Sequence, residues 1–128
     1  MRLKHFSLTF GEQIFKALSD ESRIRIVNLI IRNKEMCISD LEQVLDFTQT
    51  KTSRHLSYLK GASLVTPRKL DQWVFYSLKE EAADVVLQIF NYLERDPKLL
   101  KDQEIYEILH SNRELAANKI QARHWHAP

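Results

Sequence analysis

Three residues, Asp46-Phe47-Thr48, separate two stretches whose apolar positions recur at helical intervals. Upstream stand Ile38, Leu41, Val44 and Leu45; downstream stand Thr52, Leu56, Leu59 and Ser63. So short a connection forces the two helices to cross steeply against each other, which is the helix-turn-helix plan. Thr48 offers the hydroxyl that caps a helix running over Gln49–Gly61. At about 100° per residue, Thr50, Arg54, Ser57 and Gly61 lie opposite the apolar side. Lys51 and Tyr58 fall on one flank and Ser53 on the other.

The second of these helices sits in a window without acids. From Phe47 to Leu70 there is no Asp or Glu, while Lys51, Arg54, Lys60, Arg68 and Lys69 are present. Elsewhere the signs are mixed: residues 1–78 hold 12 Lys/Arg against 8 Asp/Glu, and residues 79–128 hold 7 against 9. A one-sign window in a balanced chain attracts polyanions. An acid-free helix face with short polar groups suits a DNA duplex, bases meeting phosphates and hydroxyls or amides meeting base edges. Arg54 can fork to guanine, and Gln49, Thr50, Ser53 and Ser57 can reach edges or phosphates. Lys51, Lys60, Arg68, Lys69 and Gln72 complete the expected contact set. His55 is open between a packed and a DNA-facing role. Tyr58 is open between packing and phosphate contact.

The flanks read as follows. Phe6, Phe10, Ile14 and Leu18 form one helical stripe, and Ser19-Asp20-Glu21 starts the next helix, dense in Ile, Val and Leu over Ile24–Ile31. After the acid-free helix, residues 64–69 and Trp73–Leu78 read as two strands around a tip at Leu70-Asp71-Gln72, with Pro67 suited to an edge. This is a wing. A further helix carries Ala83, Val86, Phe90 and Leu93. Asp96-Pro97 opens a last one, with a frayed end from Ala122. The expected fold is mostly α with a small β-hairpin: a winged helix-turn-helix over residues 1–95 and a C-terminal helical extension over 96–128. Because a winged helix over 20–78 closes by itself, the stripes Phe6, Phe10, Ile14 and Val86, Phe90, Leu93 are expected to pair two subunits.

Other classes are disfavoured. With 2 Gly and 3 Pro, neither a barrel nor a Gly-rich nucleotide loop is expected. No catalytic constellation stands at useful spacing, so neither an enzyme nor a cofactor is expected. A single cysteine, Cys37, allows no intrachain disulfide and fits a cytoplasmic setting. No membrane span or signal peptide is visible. His5, His110, His124 and His126 do not share a ligating face.

Four segments resemble the ArsR/SmtB-type winged-helix regulators. Residues Phe15 to Ile26 resemble their "ALADPTRLRIL", and Glu35-Met36-Cys37-Ile38-Ser39-Asp40-Leu41 resembles "ELCVCDL". Residues Thr48 to Leu56 resemble "SQSTVSRHL", and Gln72 to Leu78 resemble "RWVYYRL". The resemblance covers about residues 15–78. It implies a homodimeric, operator-binding transcription regulator, usually a repressor relieved by an effector, in many members a metal ion. The metal expectation is not met by the residues. The family's Cys-x-Cys has become Cys37-x-Ser39, and a serine hydroxyl is a poor ligand for a soft metal. The helix after the wing, where other members place Asp and His, has no histidine over Glu80 to Asp96. No metal site is therefore expected, and the effector is unknown. Family glycines are replaced by Asp46 in the turn and by Ser63 after the reading helix. Asp46 and Asp71 tolerate left-handed backbone, whereas Ser63 is expected to end its helix differently. Two alternatives to the DNA reading are a thiol-based redox response through Cys37 and a winged-helix protein-interaction module.

Overall fold

Helix α2, Glu21–Asn33, is the pillar of the molecule. Its Ile26, Val27, Leu29 and Ile30 are completely buried. Asp20 caps it, its side chain accepting the Arg23 N–H at 3.1 Å, as the Ser19-Asp20-Glu21 signal requires. Around it the chain runs α1 (Leu8–Ala17), α2, β1 (Glu35–Cys37), α3 (Ile38–Leu45), α4 (Gln49–Gly61), β2 (Val65–Leu70), β3 (Trp73–Leu78), α5 (Glu80–Asn91) and α6 (Pro97–His126). The structure, a computed structural model, describes the backbone of residues 5–126 and the side chains of residues 5–112.

The helix-turn-helix forms as the three-residue connection requires. α3 ends at Leu45, and Asp46 takes the left-handed conformation (φ 56°, ψ 45°). The Phe47 N–H then returns to the Glu42 carbonyl at 3.1 Å, closing the helix end. Thr48 caps α4, accepting the Lys51 N–H at 3.1 Å. Asp71 at the wing tip is likewise left-handed (φ 55°). Ser63 corrects the expectation: it keeps a positive φ of 64° itself. The Leu64 N–H bonds the Leu59 carbonyl at 3.0 Å, so Ser63 makes the turn that a glycine would make more cheaply.

The sheet has one strand more than expected. β3 lies in the centre, with β2 and β1 antiparallel on its two sides. Met36 pairs with Tyr76 and Cys37 with Phe75. Pro67 sits on the edge strand β2, where its missing N–H leaves no gap in the ladder. A three-residue strand is too short to show alternation, and its pairing partner lies about forty residues away in sequence.

Ile14, Val86 and Phe90 are corrected. Expected at a subunit interface, they are 2%, 0% and 5% exposed within the single chain and belong to its core. The elements from α2 to β3 do not close a core alone; α1 and α5 complete it. Phe10 and Leu93 pack partly buried against that core, and Phe6 is exposed, its ring edge-on to Phe10 at 5.1 Å. Besides Phe6, the apolar side chains exposed on α1, on α6 and just after α5 are different ones: Leu8, Phe15, Tyr92, Leu100 and Ile108.

The segment set apart as an extension is docked through polar groups. Asp102 of α6 is 2% exposed and receives two bonds of 2.9 Å from the Arg25 guanidinium of α2. Asn33 and Gln103 exchange amide bonds at 2.8 and 2.9 Å. Just before that segment, Arg32 donates to the Glu94 carbonyl at 2.8 Å. Ile105, Tyr106 and Leu109 pack on the common core. The helix continues to His126, past Ala122 where fraying was expected, because no breaker intervenes before Pro128. Among the described residues no helix is long and apolar enough to cross a membrane.

Candidate nucleic-acid interface

α4 separates into two sides. Thr52, His55, Leu56 and Leu59 are buried, the two leucines at 1% and 0% exposure. Burying each such leucine contributes about 1.5–3 kcal/mol, so the helix is held firmly by one side. The Thr52 hydroxyl is satisfied by the Thr48 carbonyl at 2.9 Å. Gln49, Thr50, Arg54, Ser57, Lys60 and Gly61 are exposed on the other side, and Ser53 is half-buried. No intramolecular ion pair or hydrogen bond holds the Arg54 or Lys60 side chain among the described residues. Their charges are therefore presented to solvent.

Some expected contact residues are already engaged. The Lys51 ammonium lies 4.0 Å from the Phe47 ring centroid, a cation–π contact that braces the turn. The Arg23 guanidinium lies 4.1 Å from the Tyr58 ring centroid. The same arginine donates to the carbonyls of Ala17 and Lys16 at 2.8 and 3.1 Å. Arg23 thus ties the C-terminus of α1, where a cation suits the dipole, to α4 through Tyr58, whose ring remains 44% exposed. Arg68 is paired with Glu35 at 2.8 Å and stands 5.3 Å from the Phe75 ring centroid. It is a weaker candidate for phosphate than its position in the acid-free window implied. Lys69 and Gln72 are exposed near the wing tip beside Trp73, which is 47% exposed. Sequence reasoning passed over Trp73; its outward parity with Phe75 on β3 was the available signal.

His55 belongs with the buried side, at 8% exposure. Burial pushes its pKa below the ordinary value of about 6.5, and the nearby Arg23, Arg54 and Lys51 push the same way, against Asp20. Neutral His55 therefore stabilises the fold at pH above about 6.5, and that contribution is lost as pH falls below it. The expected result is a larger drop in melting temperature between pH 7.5 and 5.5 for the native chain than for His55→Gln. Parallel profiles would show that burial of His55 is not linked to folding.

The matching sequences agree with this geometry. A model described as "Bacterial regulatory protein, arsR family" matches residues 20–66, from the cap of α2 into β2. An arsenic resistance transcriptional regulator of Pseudomonas putida is 41% identical over 68 residues, 53% of each chain. The arsenical resistance operon repressor of Bacillus subtilis is 36% identical over 76 residues, 59% of this chain and 72% of that one. This chain belongs to the arsR family. It spans about half the length of the Pseudomonas regulator. The solved structure of HlyU from Vibrio cholerae superposes with a TM-score of 0.60 at 27% identity, over 66% of this chain and 90% of that one.

Within the arsR family the position of Cys37 invites a thiolate-metal test, and the residues do not fit. The thiol is 6% exposed and lies 3.3 Å from the Ser39 hydroxyl. The chain has no second cysteine to supply another thiolate. Among the described residues no group of three or more His, Cys, Asp or Glu side chains converges. Its low exposure gives the redox alternative no positive support.

Proposed function

We propose that the protein is a homodimeric, sequence-specific DNA-binding transcriptional regulator of repressor type, acting in the cytoplasm on an inverted-repeat operator. The observation that carries this reading is the outer side of α4. It presents Gln49, Thr50, Arg54, Ser57 and Lys60 with no acid among them, on a helix whose other side is locked into the core. α4 would enter a major groove, Arg54 and Thr50 reading base edges and Lys60 meeting phosphate. The hairpin β2–β3 would bring Lys69 and Gln72 to the adjoining backbone or minor groove.

A second copy is supported by apolar surface that the chain leaves open. Leu8 and Phe15 are 91% and 72% exposed. They stand seven residues apart in α1, hence on one face. Tyr92 at the end of α5 is 92% exposed. Two-fold symmetry would then set half-site centres about 34 Å apart.

Selection from a random duplex pool, followed by titration at two salt concentrations, tests the reading. The expected product is an inverted repeat, bound about 10³–10⁵-fold more weakly at 200 mM than at 50 mM salt if about 6–10 phosphates are contacted. A pool that enriches no sequence would overturn sequence-specific binding. Enrichment of a single unrepeated half-site would overturn the symmetric dimer.

A further inference from the structure

Phe47 occupies the middle of the three-residue turn between α3 and α4, and it packs half-buried against the core. Two cations rest against its ring. The Lys51 ammonium, from the first turn of α4, lies 4.0 Å from the ring centroid, and the Arg25 guanidinium, from α2, lies 5.7 Å from it. Arg25 is itself held by α6, through the two bonds of 2.9 Å to Asp102. A continuous set of contacts therefore runs from the C-terminal helix to the N-terminal turn of α4.

We propose that Phe47 is a positioning residue for DNA binding: its ring sets the Lys51 ammonium in place for a phosphate, and the Asp102 carboxylate keeps Arg25 from driving that ammonium away. This rests on the DNA-binding reading of α4. A ring holds a lysine differently from a carboxylate. The ion pair of Arg68 with Glu35 cancels the charge that it fixes. A neutral ring attracts the ammonium and leaves its charge in full. The ammonium carries three donors, and the ring face does not occupy them all, so a phosphate oxygen still finds one. An unrestrained lysine gives up much rotamer freedom on meeting a phosphate, whereas one already ordered on a ring gives up less.

The second cation makes the arrangement conditional on α6. Two cations against one ring stand within a Debye length of each other, about 10 Å at 0.1 M salt, and repel. Asp102 offsets the Arg25 charge at contact distance, and its side chain is 3% exposed, so water screens the pair little. With the carboxylate in place, Arg25 stays at Phe47 without displacing Lys51. Docking of α6 thereby enters the charge balance at the start of α4.

Fluorescence anisotropy with the selected duplex and a scrambled one tests this in the full chain, each variant shown to be folded by circular dichroism at the assay temperature. Phe47→Leu keeps the apolar bulk and removes the ring face. It should weaken both duplexes alike, by about 5-fold to 30-fold in a symmetric dimer, because phosphate contact carries no sequence information. In a chain that already carries Lys51→Met, the same change should add no loss. Asp102→Asn should weaken binding about twofold to fivefold, again only where Lys51 is present. A ring that merely packs the turn would cost the same factor with and without Lys51. That result, or undiminished binding by Phe47→Leu or by Asp102→Asn, would overturn the proposal. Should Phe47→Leu misfold, Asp102→Asn in the two backgrounds decides the matter. These outcomes leave the DNA reading intact; a native chain that binds no duplex overturns that reading and the proposal with it.

Discussion

Asp102→Ala is expected to destabilise the protein by about 2–4 kcal/mol, and more than any single change on the outer side of α4. Asp102 is 2% exposed and accepts two bonds of 2.9 Å from Arg25, whose own side chain is 19% exposed. Breaking a buried ion pair by deleting one partner costs about 3–5 kcal/mol; the lower range reflects the access of Arg25 to water. A guanidinium is protonated at any ordinary pH, so Arg25 stays charged and keeps its desolvation cost when the carboxylate is gone. For a chain of this size the loss corresponds to a fall in melting temperature of about 6–16 °C. Thermal unfolding followed by circular dichroism measures it. A shift under about 2 °C would mean that the packing of α2 on α6 draws little from this pair. The double change Arg25→Met with Asp102→Leu is expected to recover most of the stability, because it removes the unpaired charge and restores apolar volume.

The same ion pair shows where sequence reading ends. Arg25 and Asp102 are 77 residues apart, and nothing local marks either as a partner. The turn at Asp46 was legible because its causes are local: apolar spacing on both sides, a capping Thr48, and an aspartate that tolerates the left-handed backbone. The division of α4 was legible for the same reason, with Thr52, Leu56 and Leu59 inward and Thr50, Arg54 and Ser57 outward. His55 was left open and resolves inward. The error over Ile14, Val86 and Phe90 has a specific origin. Periodicity shows that a face is buried, but not whether it is buried by the same chain or by another. Leu8, Phe15 and Tyr92, which do lie outside, attract no notice in the pattern because they fall off the main stripes. Arg68 is a comparable case: the acid-free window runs along the sequence, while Glu35 enters it across the sheet.

Arg54→Ala is expected to weaken operator binding by about 30-fold to 10⁴-fold, on the basis of about 1–3 kcal/mol for each of two symmetric guanine contacts. The position explains the size. Arg54 is exposed on the helix that the buried Leu56 and Leu59 fix in place, so its removal leaves the scaffold intact. Unfolding temperature and sedimentation behaviour should match those of the native chain. Three variants separate the ways in which a cation can act. Arg54→Lys keeps the charge but loses the planar fork, and should recover little of the discrimination. Lys60→Ala should weaken binding to all sequences alike and lower the slope of log affinity against log salt by about 1 for each phosphate no longer neutralised. Arg54→Ala should blur sequence preference with a smaller change in slope. The measurement is fluorescence anisotropy with the selected duplex and a scrambled one, at several salt concentrations. If Arg54→Ala binds the selected duplex as tightly as the native chain, α4 is not the reading helix. If it weakens both duplexes equally and lowers the slope as much as Lys60→Ala does, Arg54 meets phosphate, and base recognition passes to Gln49, Thr50 and Ser57.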